Sequence, residues 1–467
     1  MQKFSKSIEK RSIIDGSFAS IFDSITSTYL VPFAIFLGAS NSSIGLITGI
    51  PRLAQSFLQP FAGHLIEKSG SRKKVCKDHI FLKTFPWLGI LMLPFLFSGN
   101  FLIPLIILLS VSQVSYSIVS TAWISWFGDL VPSKLRGIFF GTRNFYIGLV
   151  TFFSTLIVGW FLGAYKTGLG FAIVFLIAIV SGLLGRYFLS KIPEPKYPQP
   201  VHVKHERTHF LLSEFREEFK KNRNFSKFVS YLTLLQFAVF FVSPFFAVYM
   251  LQTLKIGYEW YAVVTAVEVL SSVLSLKYWG KFSDRFGDRT TLGITSILIT
   301  LVPFIWMFIG GSLAVVIIQM IIAGILSGFG WAGFDLSTFN YLLDSTPQAK
   351  RPVYISNFRF FTSLSLFIGP VAGGFLLDFF SSQIFLIFTG FQIMLLISFI
   401  LRGSFSALFI HSLKELRTRQ ENHVSDLFLK AVAVYPARGV YREVQYAGHC
   451  LNCWNKKFVR EVILRKT

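Results

Sequence analysis

Long apolar runs recur along almost the whole chain, separated by short polar connectors, and the polar positions inside the runs fall at helical spacing. A helix needs roughly 20 apolar residues to cross the hydrocarbon core of a bilayer. In lipid the backbone must satisfy its own hydrogen bonds, so such runs are helices. The pattern predicts twelve of them, at 12–37, 42–65, 79–98, 101–127, 138–164 and 168–190, then 227–253, 258–281, 290–309, 312–343, 353–379 and 382–404. The one long break between them, 191–226, opens with Pro193, Pro195, Pro198 and Pro200, which oppose helix. Its later part, Leu211 to Arg223, is amphipathic enough to lie along a membrane face. The expected organisation is therefore a six-helix bundle over 1–190, a linker over 191–226, a second six-helix bundle over 227–404 and a basic tail over 405–467.

Composition agrees with a membrane protein. Of the 467 residues 53% are hydrophobic and only 15% charged, against roughly 25% charged in soluble domains. The net charge of +22 raises nucleic acid as a partner, and the distribution of the charge argues against it. Connectors at 38–42, 98–101, 309–312 and 379–383 carry no Lys or Arg, whereas alternate connectors carry Lys68, Arg72, Lys73, Lys74 and Lys77, then Lys134 and Arg136, then Lys281, Arg285 and Arg289. That is the positive-inside asymmetry, and it places both termini in the cytoplasm. The excess also suits attraction to anionic lipid headgroups. The start of the chain is too polar, and its first apolar stretch too long, for a cleaved signal peptide. Cys76, Cys450 and Cys453 all fall on the cytoplasmic side and are expected as reduced thiols.

The two bundles repeat each other. Gly63-His64-Leu65-Ile66-Glu67-Lys68-Ser69-Gly70-Ser71-Arg72 returns about 217 residues on as Gly280-Lys281-Phe282-Ser283-Asp284-Arg285-Phe286-Gly287-Asp288-Arg289. At nearly the same offset Asp129 pairs with Asp344, Pro132 with Pro347, Arg136 with Arg351, and Gly159 with Gly374. A fixed long period marks the chain as two copies of one unit.

On these motifs the chain resembles the major facilitator superfamily over roughly residues 10–404. The Gly, acid, base, Gly, base loop after the second helix of each half carries the likeness, as does Asp129-Leu130-Val131-Pro132 running on to Arg136-Gly137. The resemblance implies an all-α membrane fold of twelve helices as two pseudo-symmetric bundles. It also implies a cavity between them and alternating access by rocking. There are departures. Glu67 stands where an Asp is usual, and Ser71 and Asp288 replace a base. The fourth helix lacks the Arg of many proton-coupled drug exporters of the family, and their fifth-helix Gly-Pro-x-x-Gly-Gly element occurs here in the eleventh, as Gly369-Pro370-Val371-Ala372-Gly373-Gly374.

Asp or Glu in mid-span costs a few kcal/mol by insertion scales and normally faces protein or water. Asp23, Glu268 and Asp335 are such residues, with Arg52 as the matching base. Gln319, Ala323, Ser327, Trp331 and Asp335 step by four along the tenth helix, so they share a face. Ser112, Tyr116, Ser120 and Trp123 do so in the fourth, and Ser230, Thr233, Gln236 and Phe240 in the seventh. Such stripes also serve ordinary helix packing in membranes. Asp23, Arg52, Gln236, Glu268, Trp331 and Asp335 are the candidate substrate or proton pathway, and Arg52 is placed to pair with Glu268. Lys83 and Lys277 are expected to snorkel to the interface.

Glu67, Arg72, Asp129, Arg136 and Arg143 of one half and Asp284, Arg289, Asp344, Arg351 and Arg359 of the other are read as a cytoplasmic gate. A purely topological role for these charges is the alternative. Cys450-x-x-Cys453 has too few companions for a metal site, and no Walker-type loop is present for ATP drive. No cofactor is expected. The sum is a monomeric plasma-membrane secondary transporter, not an enzyme, moving a small organic solute and coupled to protons through Asp23, Asp335 or Glu268. An uncoupled facilitator, a multidrug exporter and a non-transporting sensor or assembly protein are its rivals.

Overall fold

The protein is described by a computed structural model over residues 6–59, 61–96, 100–132, 135–195, 219, 222–346, 351–381, 389–410 and 412–416. Most of the linker, and the tail with Cys450 and Cys453, lie outside these residues. Every element among them is a helix. The first half is built from α1 (Lys6–Thr28) with α2 (Leu30–Phe36), α3 (Asn41–Leu58) with α4 (Phe61–Ser69), α5 (Arg72–Thr84) with α6 (Pro86–Leu96), α7 (Leu102–Leu130), α8 (Arg136–Ala164) and α9 (Gly168–Ser190). The second comprises α10 (Arg223–Phe240) with α11 (Phe245–Val248) and a π-helical turn at Tyr249–Thr253, then α12 (Tyr258–Phe286), α13 (Asp288–Met307), α14 (Leu313–Asp344), α15 (Arg351–Ser381) and α16 (Gly390–Ile410).

Among the described residues ten helical stretches are long and apolar enough to span a membrane by length and composition, and α1 with α2, bent by 41°, makes an eleventh. The expected second span corresponds to α3 and α4, where Arg52 and Gln55 hold the hydropathy down. Local sequence sets several starts. Ser40, Ser71, Thr167 and Asn222 each accept a backbone N–H three residues on, a cap worth about 1 kcal/mol. The third span starts at Arg72 rather than 79 because Ser71 caps a charged first turn that packs under the bundle. The last, expected over 382–404, is described as a helix over Gly390–Ile410, residues 382–388 lying outside the described ones.

The helix pairings follow a pseudo-two-fold pattern. In the first half α1 packs on α8 and α9, and α7 packs on α3 and α5. The second repeats this, α10 on α15 and α16 and α14 on α12 and α13. Two long pairs join the halves, α3 with α15 and α8 with α12, and the symmetry exchanges one pair for the other; the short α2 and α11 also meet. Both first spans break at matching places, α1 at Tyr29 and α10 between Phe240 and Phe245. Tyr29 bridges its own break, donating to the Thr155 carbonyl at 2.5 Å.

Glycine makes the close seams possible. A methyl group on Gly45 would overlap the Pro370 carbonyl, one on Gly159 the Ala262 side chain, and one on Gly373 the Phe241 carbonyl. Without a hydrophobic drive between helices in lipid, such backbone approach is what van der Waals association rests on.

The buried side chains show which way the halves lean. On the face opposite the basic loops one continuous apolar cluster joins Phe33, Phe171 and Phe175 of the first half to Phe245, Tyr249, Trp306 and Met320 of the second. Toward the basic face each half has its own cluster, around Trp126 and Phe127 in one and Phe228 and Tyr341 in the other. The two bundles are thus fused at the opposite face and packed separately at the basic one. Ile107, Ile157, Trp160 and Ile318, by contrast, are exposed and apolar, as lipid-facing positions are.

Candidate functional site

Asp23, on α1, does not stand alone in the bundle. Lys83, in the last turn of α5, donates to it at 2.5 Å. The ammonium also lies over the rings of Phe22 and Tyr116, at 4.8 and 5.0 Å from their centroids. This corrects the expectation that Lys83 snorkels to the interface. The helix begins at Arg72, so Lys83 sits roughly 16 Å along it, and its side chain is buried. Asp23 and Lys83 line a cavity of about 230 Å³ with Asp15, Tyr116, Trp123 and Arg143.

Arg143, on α8, turns into the first bundle. Its guanidinium lies 4.0 Å from Asp15, donates to the hydroxyl and carbonyl of Ser12 at 3.1 and 3.3 Å, and covers the ring of Trp123 at 4.5 Å. The structure therefore sets it between α1, α7 and α8.

Arg52, on α3, lies over the ring of Phe240 at 5.1 Å. Glu268 instead accepts from Ser327 at 2.6 Å within the second half. No ion pair joins Arg52 to Glu268 among the described residues, so that expected pairing is corrected. The reason is register: the close neighbours of α12 at Glu268 are Gly324 and Gly328 of α14, whose missing side chains let α12 settle there. Asp335 is exposed and lies about a quarter-turn around α14 from the outward row of Ile318, Ile322 and Ile325. Trp331 packs edge-on against Phe334. The Gln236 side-chain oxygen Oε1 is sealed from solvent with no hydrogen-bond partner among the described residues.

The charged loops form two matching assemblies at the basic face. Arg72 is fully buried; it donates to the Ser125 carbonyl at 3.0 Å and pairs with Asp129. Glu194, just past α9, accepts from the Ser71 hydroxyl at 2.6 Å and from the Arg72 N–H at 2.7 Å. In the second half Glu415, just past α16, accepts from the Arg289 N–H at 3.1 Å. The Arg289 side chain donates to the Ile410 carbonyl, and Asp288 takes bonds from Ser283 and Asn340. Arg136 donates to the carbonyls of Val131 and Gly128 at the end of α7. Each of these bonds from Arg72, Arg136 and Arg289 stays within its own half. Glu67 is half-buried, Asp284 and Asp344 are exposed, and the Arg351 side chain lies outside the described residues.

Sequence reading passed over several of these groups. Glu194 and Glu415 each lie a few residues beyond a sixth helix, and that shared place in the two repeats was the signal that could have found them. Arg186 and Arg402 are another such couple. Arg186 donates to the Lys77 carbonyl at 2.8 Å, and the fully buried Arg402 to the Ile299 carbonyl at 2.9 Å. At the opposite face Asp378 accepts from Asn41 and Ser42 at the start of α3. Its repeat counterpart is Gly163, beside which Glu259 of α12 packs with one carboxylate oxygen sealed and without a hydrogen-bond partner among the described residues.

Two six-helix bundles closed at one face, with charged side chains buried near the seam, are the build of a solute transporter. The chain belongs to the Major Facilitator Superfamily, whose family model matches residues 16–276 and 232–426, and it is a multi-pass integral membrane protein. Among curated relatives, the quinolone resistance protein NorA of Staphylococcus aureus (strain Mu50 / ATCC 700699) is 22% identical over 350 residues, covering 73% of this chain and 82% of NorA. Among solved structures, the nucleoside transporter NupG (D323A mutant) superimposes with a TM-score of 0.71 at 13% identity, covering 87% of this chain and all of that one. The inward-open xylose transporter XylE from E. coli gives 0.63 at 15% identity, covering 90% and 98%. At these identities the structural likenesses speak for the fold.

Proposed function

We propose that the protein is a proton-coupled secondary transporter of a small organic solute, working as a monomer in the cell membrane with its basic face toward the cytoplasm. The observation that carries this reading is the Asp23–Lys83 pair: an acid and a base inside the membrane, lining a cavity within the first bundle rather than a sealed core. A proton delivered to Asp23 releases Lys83, and Lys83 released can turn to a solute. Glu268 and Asp335 supply further carboxyls on the second half. The separate packing of the bundles at the basic face supports an inward-facing arrangement. In the alternate state the assemblies around Arg72 and Arg289 come together as the cytoplasmic gate, and anionic headgroups hold the basic loops at that surface.

The test is reconstitution of the full chain in proteoliposomes with entrapped pyranine, screened against a panel of metabolites and drugs. A coupled substrate moves protons in the wild type and no longer does so in Asp23→Asn, Glu268→Gln and Asp335→Asn combined. Undiminished proton movement in that variant removes the acids from coupling. Similarity to NorA supports a second reading, export of amphiphilic drugs, which the same panel separates by which compounds respond.

A further inference from the structure

Two arginines near the seam have no counter-ion among the described residues. Arg52 on α3 and Arg359 on α15 are both half-buried, and within that set neither guanidinium enters an ion pair or donates a hydrogen bond. Their nitrogens are not among the sealed, unsatisfied polar atoms, so solvent reaches them. They come from opposite halves, on the two helices that form one seam. Gly49 meets Phe367 there, and the rings of Phe57 and Phe360 lie 6.1 Å apart. In that antiparallel register Arg359 sits at about the level of Leu58, roughly 9 Å nearer the basic face than Arg52. Both guanidinium groups are within electrostatic reach of the Tyr116 hydroxyl, and Asp23, the nearby acid, is already held by Lys83. Phe240 supplies a ring face beside Arg52, while the ring of Tyr116 lies under the Lys83 ammonium.

An uncompensated cation within a membrane bundle is expensive and marks a functional site. A guanidinium presents five donors in a planar fork that matches carboxylate and phosphate oxygens. We infer that Arg52 and Arg359, with the Tyr116 hydroxyl, bind the anionic oxygens of the transported solute, a carboxylate or phosphate compound with an aromatic or apolar body lying against Phe240. This rests on the transport reading above and adds the substrate class. A solute held by one arginine of each half also ties its binding to the relative position of the halves.

The experiment is equilibrium thermal shift on the purified full chain, with benzoate, phenyl phosphate and benzylammonium at matched ionic strength. One or both anions should raise the melting temperature in a saturable way, and the responding anion distinguishes carboxylate from phosphate. Benzylammonium should give no shift. Arg359→Gln and Arg52→Gln should each weaken the apparent affinity at least tenfold. Arg359→Lys and Arg52→Lys, which keep the charge and lose the fork, should fall between them and the wild type, and they serve if either glutamine variant fails to fold. Equal stabilisation by benzylammonium, no response to either anion, or an unweakened anion response in the glutamine variants overturns the assignment. Because no gradient or transport is involved, failure here leaves proton-coupled transport standing, and failure of transport leaves anion binding standing.

Discussion

Asp378 of the second half caps the first turn of a helix in the other half: its carboxylate accepts from the Asn41 N–H at 3.2 Å, the Asn41 side chain at 2.8 Å and the Ser42 N–H at 2.8 Å. A carboxylate at a helix N-terminus meets unsatisfied donors and the positive end of the macrodipole. Here that local device fastens two bundles together at the face opposite the basic loops.

Replacing Asp378 with Ala removes the clasp while leaving the glycine contacts of α3 with α15 intact. Spin labels at Lys166 and Ser312, on exposed connectors of the two halves at that face, should show a growing long-distance population in the variant. An unchanged distance distribution would mean the clasp does not hold the closure.

Asp23 and Lys83 form a pair whose members stabilise each other, so the double change should cost less than either single change. Lys83→Met strands a carboxylate and Asp23→Ala strands an ammonium; each should lower the melting temperature. The loss should be smaller than the roughly 3–5 kcal/mol of a fully buried pair, because the Asp23 side chain is 45% exposed. Lys83→Met combined with Asp23→Leu should recover most of the loss. Additive losses in the double variant would argue that the pair is not coupled.

Gly373 packs against the Phe241 carbonyl at the break after α10, and Gly374 against that of Asn41. Gly373→Val places a side chain where backbone stands, a contact that cannot yield as a flexible side chain can. Expression of folded protein, read by gel filtration in detergent, should fall severalfold. By contrast, a valine at Gly128, where no atom lies in the way of a Cβ, should leave the yield close to wild type.

Arg72 depends on Glu194 for its position, since the carboxylate holds both its backbone N–H and the Ser71 hydroxyl. Glu194→Ala should lower the melting temperature by several degrees, as expected for a charged hydrogen-bonded network left incomplete around a buried guanidinium. Glu194→Gln, which keeps an acceptor, should recover part of it. Equal melting points for the two variants would rule out the hydrogen bonds as the cause.

The twelve spans and the duplication were legible because membrane insertion writes itself into the sequence as run length, and repetition as a fixed offset. The seams were less so. Gly159 and Gly374 were paired by the repeat, but only coordinates show that one faces Ala262 and the other Asn41. Lys83 was misplaced because distance from a helix start decides whether a lysine reaches water, and that start lay seven residues earlier than hydropathy suggested. Arg52 and Glu268 sit at matching depth, yet depth along a helix says nothing about azimuth, and the glycines of α14 captured Glu268 first.

The mismatch between Asp378 and its repeat counterpart Gly163 makes the two seams mechanically unlike. One is laced by three hydrogen bonds to the start of α3, while at the other a half-buried Glu259 has one oxygen sealed with no hydrogen-bond partner among the described residues. A hinge of this kind does not part evenly. Among the described residues, parting the halves breaks three bonds to Asp378 on the side of α3 and α15 and one, from Tyr261 to the Thr28 carbonyl, on the side of α12, so separation is expected to begin along α8 and α12.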